Sequence, residues 1–293
     1  MVENNTHAHH GHHGNGNMSE EEQKARIQQE INIANNMSHI KHKIVVMSGK
    51  GGVGKSTVAA NLAETFNKMG YNTGILDVDI HGPNIPKLFG KEGEVLGIDE
   101  EKILPVMSED GVAIMSMGFL LDSQDTPIIW RGPQKTGVIR QFISDVKWGN
   151  LDVLIIDNPP GTGDEPLTVL QTIPDVDAVV MVTTPNSLSQ EDVLKCVTMT
   201  KKMKISNIGL IENMAYFICP HCEEKLNIFG ESQGDKFAEL MSIEFLGSIP
   251  LTEDVAKAVD NDTIISAKDE KHIVSKEFKS IVSKIEKSFL NKQ

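Results

Sequence analysis

Seven short apolar segments recur along the chain from Lys43 onward, and polar, helix-compatible segments separate most of them. Each has the length of a β-strand, and most are hydrophobic almost continuously rather than at alternate positions. They are KIVVMS (43–48), TGILDVD (73–79), VAIMSM (112–117), DVLIID (152–157), AVVMVTT (178–184), IGLIENM (208–214) and IEFLGSIP (243–250). Strands of this kind, alternating with helices, are typical of a parallel sheet covered on both faces. The pattern predicts an α/β fold: a doubly wound, mostly parallel sheet with helices on both faces.

Residues 1–40 follow a different pattern. The first 18 are a low-complexity stretch with five histidines among Gly and Asn, which predicts a disordered tail whose histidines are able to chelate metal. Ser19, followed three residues later by Glu22, forms a capping-box pattern and predicts the start of a short helix, with Ile27 and Ile31 on one face. We therefore expect a His-rich tail and short helix over 1–40, followed by one domain over 41–293.

The strongest chemical signal is SGKGGVGKST, which directly follows the first predicted strand and leads into an amphipathic helix. This is the Walker A pattern in the strand–loop–helix context that it requires. Glycines allow successive backbone N–H groups to point at phosphate oxygens, and the helix N-terminus favours negative charge. The predicted nucleotide-binding residues are Gly49, Lys50, Gly51, Gly52, Val53, Gly54, Lys55, Ser56 and Thr57. Lys55 is expected on the β/γ-phosphates of ATP, and Ser56 on Mg²⁺.

Acidic residues end two further predicted strands. DVLIID has the Walker B form, and its final Asp157 is expected to hold the hydration shell of Mg²⁺. The following NPPGTGD (158–164) suits a loop that senses a γ-phosphate. The second strand ends in Asp77-Val78-Asp79, whose carboxylates alternate between faces. Because ligands of parallel sheets bind at the carboxyl ends of the strands, these groups are expected in one site.

The overall composition limits the classes of partner. The net charge of −13 at pH 7 argues against non-specific binding to nucleic acid or to an anionic membrane. No apolar run approaches the ~20 residues that a membrane-spanning helix needs, and the three cysteines do not form a disulfide framework. We expect a cytoplasmic protein that binds neither nucleic acid nor membrane.

Two of the cysteines, Cys219 and Cys222, lie in FICPHCEEK (217–225). Their spacing is that of half a four-ligand metal site, either tetrahedral zinc or an iron–sulfur cluster. A Cys-x-x-Cys pair also occurs in thiol oxidoreductases. The third cysteine, Cys196, is alone on a predicted helix, where we expect a small buried side chain.

The second lysine of the loop, Lys50, makes it similar to the deviant Walker A class of MinD, ParA, nitrogenase iron protein and the Mrp-type ATPases. This resemblance implies that Lys50 crosses a dimer interface and contacts nucleotide bound to the other subunit, as an arginine finger does in trans. It also implies that Asp79 orients the attacking water and that Asn213 contacts the adenine edge. Lys50, Lys55, Asp79 and Asp157 are then the catalytic set of a slow ATPase.

Four more segments resemble the Mrp/ApbC-type (Nbp-like) iron–sulfur cluster carriers over residues 41 to 260: DVDIHGPNIPKLFG (77–90), WRGP (130–133), IDNPPGTGDE (156–165) and IENMAYFICPHC (211–222). The implied function is to carry a 4Fe–4S cluster to apo iron–sulfur proteins, with ATP acting on that process. In a homodimer, Cys219 and Cys222 of both subunits would supply four thiolates, which we expect to close one bridging cluster. The region near 216–229 would form a cluster-binding insertion.

Two other hypotheses fit parts of this pattern. A MinD/ParA-like spatial-regulation ATPase, with structural zinc at its dimer interface, would use the amphipathic C-terminal stripe on a membrane. That stripe comprises Val274, Phe278, Ile281, Val282, Ile285 and Phe289. An electron donor like nitrogenase iron protein also has an interface cluster, but its two ligands per subunit come from well-separated positions.

Overall fold

The computed structural model describes residues 19–100, 102–120, 132–222 and 224–291. The strands are β1 (Ile40–Ser48), β2 (Thr73–Asp77), β3 (Ile98–Asp99), β4 (Lys102–Ile103), β5 (Val106–Met107), β6 (Ala113–Ser116), β7 (Leu151–Asp157), β8 (Ala178–Thr183), β9 (Ile208–Glu212), β10 (Phe217–Ile218), β11 (Lys225–Leu226) and β12 (Glu244–Ser248). The helices are α1 (Glu20–Ser38), α2 (Lys55–Lys68), α3 (Ile85–Leu88), α4 (Gly132–Asp145), α5 (Asp164–Thr172), α6 (Ser187–Lys202), α7 (Gly234–Met241), α8 (Glu253–Asp260), α9 (Ile265–Lys268) and α10 (Ile273–Ile285). A 3₁₀ turn at Met117–Leu120 and a π-helical turn at Glu286–Leu290 complete the set.

Eight strands form the main sheet in the order β12-β9-β8-β1-β7-β2-β6-β5. Every neighbouring pair is parallel except β5 and β6, which are antiparallel. The seven predicted strands correspond to β1, β2, β6, β7, β8, β9 and β12, so the prediction of a mostly parallel, doubly wound sheet is confirmed. The carboxyl ends of the parallel strands meet at one edge, and the motifs that follow them meet there too.

The side chains of β1 alternate between two hydrophobic cores, one on each face of the sheet. Ile44 and Val46 pack with α2, α8, α9 and α10. Val45 and Met47 pack with α1, α4, α5, α6 and α7. All four side chains are fully buried, which explains why the strand is apolar at successive positions rather than alternate ones.

Helix α1 begins with the predicted capping box: Ser19 accepts the N–H of Glu22, and Glu22 accepts the N–H of Ser19. Ile33 and Met37 are its buried residues and join the core that contains α4. Ile27 and Ile31, which we used to define one helix face, are 58% and 47% exposed. The packed face is therefore displaced toward the C-terminal half of the helix.

The C-terminal stripe is part of the core rather than a free apolar surface. Val274, Phe278, Ile281, Val282, Ile285 and Phe289 are all buried. Helix α10 packs against α2 and β12, so its apolar face is not available to a membrane. The membrane-binding role that the spatial-regulation hypothesis gave this stripe is therefore wrong. No helix in the described ranges is long and apolar enough to span a bilayer.

Candidate functional site: a phosphate-binding loop and a cysteine hairpin

The Walker A loop joins the end of β1 to the start of α2, as its sequence predicts. Gly54 has φ +83°, a left-handed conformation that favours glycine. A Cβ at Gly54 would lie 2.2 Å from Nδ2 of Asn213. A Cβ at Gly49 would lie 2.5 Å from the backbone carbonyl carbon of Asp192. Close packing therefore requires glycine at both positions, and backbone conformation also favours it at Gly54.

A cavity of ≈ 320 Å³ opens above this loop. Its lining includes the cations Lys50, Lys55 and Lys87 and the carboxylate of Asp79. Within the part of the chain that the structure describes, neither Lys50 nor Lys87 forms an ion pair. The cavity is thus a local cationic site in an acidic protein, and it suits a polyanion such as a nucleotide phosphate tail.

Lys55, which lines the cavity, forms a buried ion pair with Asp157 behind it. Nζ of Lys55 lies 2.5 Å from Oδ1 of Asp157 and 3.4 Å from the hydroxyl of Ser56. Burial raises the pKa of Asp157, while the Lys55 ammonium and the Ser56 hydroxyl counteract that effect. Oδ2 of Asp157 is buried without a hydrogen-bond partner in the described structure. A carboxylate oxygen left in this way, beside a serine hydroxyl, fits the ligand set of Mg²⁺.

Asp77 and Asp79 have different surroundings. Oδ2 of Asp77 accepts the Ser116 hydroxyl at 2.9 Å, and its Oδ1 accepts the Asp79 N–H at 3.0 Å. Burial and the Asp157 carboxylate raise the pKa of Asp77 to about 8. Asp79 faces the cavity instead, and its Oδ1 accepts the backbone N–H groups of His81 and Gly82 at 3.1 and 3.2 Å. Asp77 therefore orders the turn, and Asp79 lies at the cavity.

Asn213 follows β9 and touches the Walker A loop directly. Its Nδ2 donates to the carbonyl oxygen of Val53 at 2.8 Å. The side chain also lines a second, mainly apolar cavity of ≈ 280 Å³ that includes Met214, Pro250 and Val255. Gly54 and Thr57 border both cavities, so the second cavity continues from the first and has the character of a pocket for a planar base.

The loop after β7 is tied to the end of β1. The N–H of Gly161 donates to the carbonyl oxygen of Ser48 at 2.8 Å. The thiol of Cys196, fully buried on α6, lies 3.5 Å from the Gly161 oxygen and 3.7 Å from the Ser48 oxygen. Cys196 is a buried structural residue, as predicted from its isolated position, and burial raises its pKa to about 11.

Cys219 and Cys222 lie at the tip of a small hairpin. Strands β10 and β11 pair antiparallel, with Phe217 opposite Leu226. Cys219 is half-buried and Cys222 is exposed. The backbone N–H groups of His221 and Cys222, followed by the Cys222 thiol, lower the pKa of the Cys219 thiol. Among the described residues, no third histidine, cysteine or carboxylate completes a metal-binding group with them.

The structure thus brings Asp79 and seven of the nine predicted Walker A residues to the lining of one cavity, all but Gly49 and Val53. Asp157 is buried against Lys55, and Asn213 lines the adjoining cavity. The cysteines lie on a separate hairpin. Lys87 was missed. It lies on α3, a four-residue helix, and an isolated lysine in such a segment carries no periodic or motif signal. Arg131 of the WRGP segment lies outside the described residues.

A family model described as a NUBPL iron-transfer P-loop NTPase of the ParA type matches residues 39–286. The chain belongs to this family. The iron-sulfur cluster carrier protein of Methanocaldococcus jannaschii is 53% identical over 237 residues, covering 81% of this chain and 82% of that protein. A protein of Dictyostelium discoideum named as a cytosolic Fe-S cluster assembly factor NUBP2 homolog is 47% identical over 219 residues, covering 73% of this chain and 83% of that protein.

Solved structures agree with this assignment. The nucleotide-binding protein of Archaeoglobus fulgidus in complex with ADP has a TM-score of 0.71 and 42% identity, covering 80% of this chain and 91% of that one. The cell division ATPase MinD of Pyrococcus furiosus has a TM-score of 0.62 at 18% identity, covering 84% of this chain and 99% of that one, and shows the shared P-loop NTPase fold. The resemblance seen in the sequence is confirmed as a family relationship.

Proposed function

We propose that this protein is a cytoplasmic, ATP-binding and ATP-hydrolysing carrier of 4Fe–4S clusters. In this proposal it works as a homodimer, and Cys219 and Cys222 of both subunits hold one bridging cluster for delivery to apo iron–sulfur proteins. The observation that carries the proposal is the presence, on one chain, of a cationic Walker A cavity and an incomplete, solvent-facing pair of thiols. The names of the relatives at about half identity support the same function.

The cavity supports ATP as the ligand. The Walker A backbone and Lys55 would bind the phosphate tail, with Lys50 reaching the nucleotide of the partner subunit. Asp157 and Ser56 would hold Mg²⁺, which neutralises charge on the phosphates when bound. Asp79 faces the cavity with its carboxylate fixed by two backbone N–H groups, which suits a group that orients a water for attack. Turnover is expected to be slow and gated by dimer rearrangement.

The hairpin supports the cluster as cargo. Two thiols cannot satisfy a cluster that takes four cysteine ligands, and a two-fold axis would supply the missing two. The N–H groups of His221 and Cys222 that point at Cys219 stabilise a thiolate before any metal arrives. Leu226, on β11, and Ile228 and Phe229, which follow it, are 43%, 56% and 46% exposed, and a partner subunit would cover them. A cluster held by one short, surface-located Cys-x-x-Cys pair from each subunit would be bound weakly, as transfer requires.

Anaerobic iron–sulfur reconstitution tests the proposal, with iron, sulfide and zinc analysis and mass measurement in solution. We expect about four irons and about four sulfides per dimer, lost in Cys219→Ala and in Cys222→Ala. Cys196→Ala is the matched control. The Cys196 thiol is buried on α6, so its removal should leave the cluster unchanged. A stoichiometric cluster in Cys219→Ala would refute the site assignment. About one stably bound zinc per dimer, without a cluster, would mean that the cysteines form a structural zinc site instead.

A further inference from the structure

We propose that His81 is a positioning residue for ATP hydrolysis, because it ties the turn that carries Asp79 to the segment that follows Asp157. This inference rests on the proposed ATPase function. We define the Asp79 turn as residues 78–84, after β2, and the switch loop as residues 158–163, between β7 and α5. The two segments come from neighbouring strands, since β2 pairs with β7 and Asp77 lies opposite Asp157.

His81 makes two contacts that point in different directions. Its backbone N–H donates to Oδ1 of Asp79 at 3.1 Å, alongside the N–H of Gly82. Its imidazole Nε2 lies 3.5 Å from Oε1 of Glu165. One residue therefore fixes the carboxylate of Asp79 through its main chain and contacts the other segment through its side chain.

Glu165 connects this contact to the switch loop. It lies in the first turn of α5, immediately after that loop. At its other end the loop continues from β7, and Gly161 within it donates to the carbonyl of Ser48, at the entrance of the Walker A loop. A movement of the switch loop relative to the nucleotide would displace Glu165, and the His81 contact would pass that displacement to Asp79.

The His81–Glu165 pair is partly solvated, which limits its contribution to stability. The side chains are 59% and 19% exposed, and pairs of this kind typically stabilise a fold very little. Its effect is expected on the orientation of Asp79, a group that acts on the attacking water, rather than on nucleotide affinity. Catalytic steps are sensitive to small displacements of such groups.

The test compares wild type, His81→Gln, Glu165→Gln and the double variant by ATP turnover and by equilibrium binding of a fluorescent ADP analogue. The matched control is His42→Gln, which removes a similar His–carboxylate contact, 3.4 Å to Asp177, on β1 away from the cavity. We expect each single variant to lower kcat about fivefold with ADP affinity unchanged. The double variant should be no slower than either single variant, because both disrupt one contact. The control should match wild type.

Hydrogen–deuterium exchange of peptides containing residues 78–84 gives a second readout that does not need turnover. The amides of His81 and Gly82 are expected to exchange faster in Glu165→Gln, although that substitution lies on a different element. Unchanged exchange in Glu165→Gln, unchanged kcat, or additive losses in the double variant would overturn the inference. A wild-type protein without ATP turnover would refute the proposed ATPase function. Hydrogen–deuterium exchange alone would then decide whether the His81–Glu165 contact orders the Asp79 turn.

Discussion

Lys55 and Asp157 form a buried contact between the Walker A loop and the end of β7. Their charged atoms are 2.5 Å apart, and the side chains are only 7% and 0% exposed. Each charge compensates the other in a region where an isolated ion would be strongly destabilising. The contact thus links nucleotide chemistry to the stability of the sheet edge.

Lys55→Met is expected to abolish nucleotide binding and also to lower the free energy of unfolding by about 3 kcal/mol, because it leaves Asp157 buried without its cation. Urea denaturation without nucleotide at neutral pH measures the second effect. Lys55→Met/Asp157→Asn should regain much of the stability while still failing to bind nucleotide. A double variant whose loss equals the sum of both single losses would show that the ion pair is not the cause.

Gly54→Ala tests the packing of the Walker A loop. The new methyl group would meet Nδ2 of Asn213 at 2.2 Å in a backbone with φ +83°, so either the loop or Asn213 must move. We expect affinity for an ADP analogue to fall by at least about tenfold. Gly137→Ala on α4 is the control, because nothing lies within 4 Å of its added methyl group and alanine favours a helix. Equal ADP affinity in the two variants would contradict this account.

The sequence predicted those features that are local. The main strands were evident because burial on both faces makes them continuously apolar. The phosphate-binding loop was evident because Gly49 to Thr57 form one contiguous motif. Strands β3, β4, β5, β10 and β11 have two residues each, too few for any hydrophobic period. The contacts of His81 with Glu165 and of Asn213 with Val53 join distant segments. They depend on how the strand ends meet, which no single segment specifies.

Glu64 provides a pH test away from the nucleotide. It is 1% exposed on α2, its Oε1 has no partner in the described structure, and burial, with the nearby Asp110, raises its pKa from 4.5 to about 7. A raised carboxyl pKa means that the native state binds the proton more tightly than the unfolded chain. The associated stability is therefore present at low pH and is lost as pH rises from about 4.5 through about 7.

Glu64→Gln removes this titration. Relative to wild type, its free energy of unfolding should increase by roughly 2–3 kcal/mol between pH 4.5 and pH 8, measured by urea denaturation across that range. Glu244→Gln, at an exposed position of β12, is the control: its free energy of unfolding should change with pH as that of wild type does. A constant difference between Glu64→Gln and wild type at all pH values would mean that Glu64 does not titrate in this interval.

Asn213 offers a test of nucleotide choice. Its Nδ2 donates to the Val53 carbonyl, whereas no described residue donates to its Oδ1, and the side chain lines the apolar cavity. An acceptor there would receive the exocyclic amino group of adenine, and guanine presents an oxygen at that position. We therefore predict two separable tasks for this side chain: its nitrogen supports the Walker A loop, and its oxygen selects the base.

Two variants separate these tasks when binding of ATP and GTP analogues is compared. Asn213→Ala removes both groups, so ATP affinity should fall about tenfold and the preference over GTP should disappear. Asn213→Asp keeps the acceptor but places a carboxylate against the Val53 carbonyl, so both affinities should fall while the preference for ATP remains. If Asn213→Ala weakened ATP and GTP by one common factor, Asn213 would support the loop alone, and base selection would have to come from other residues of the apolar cavity.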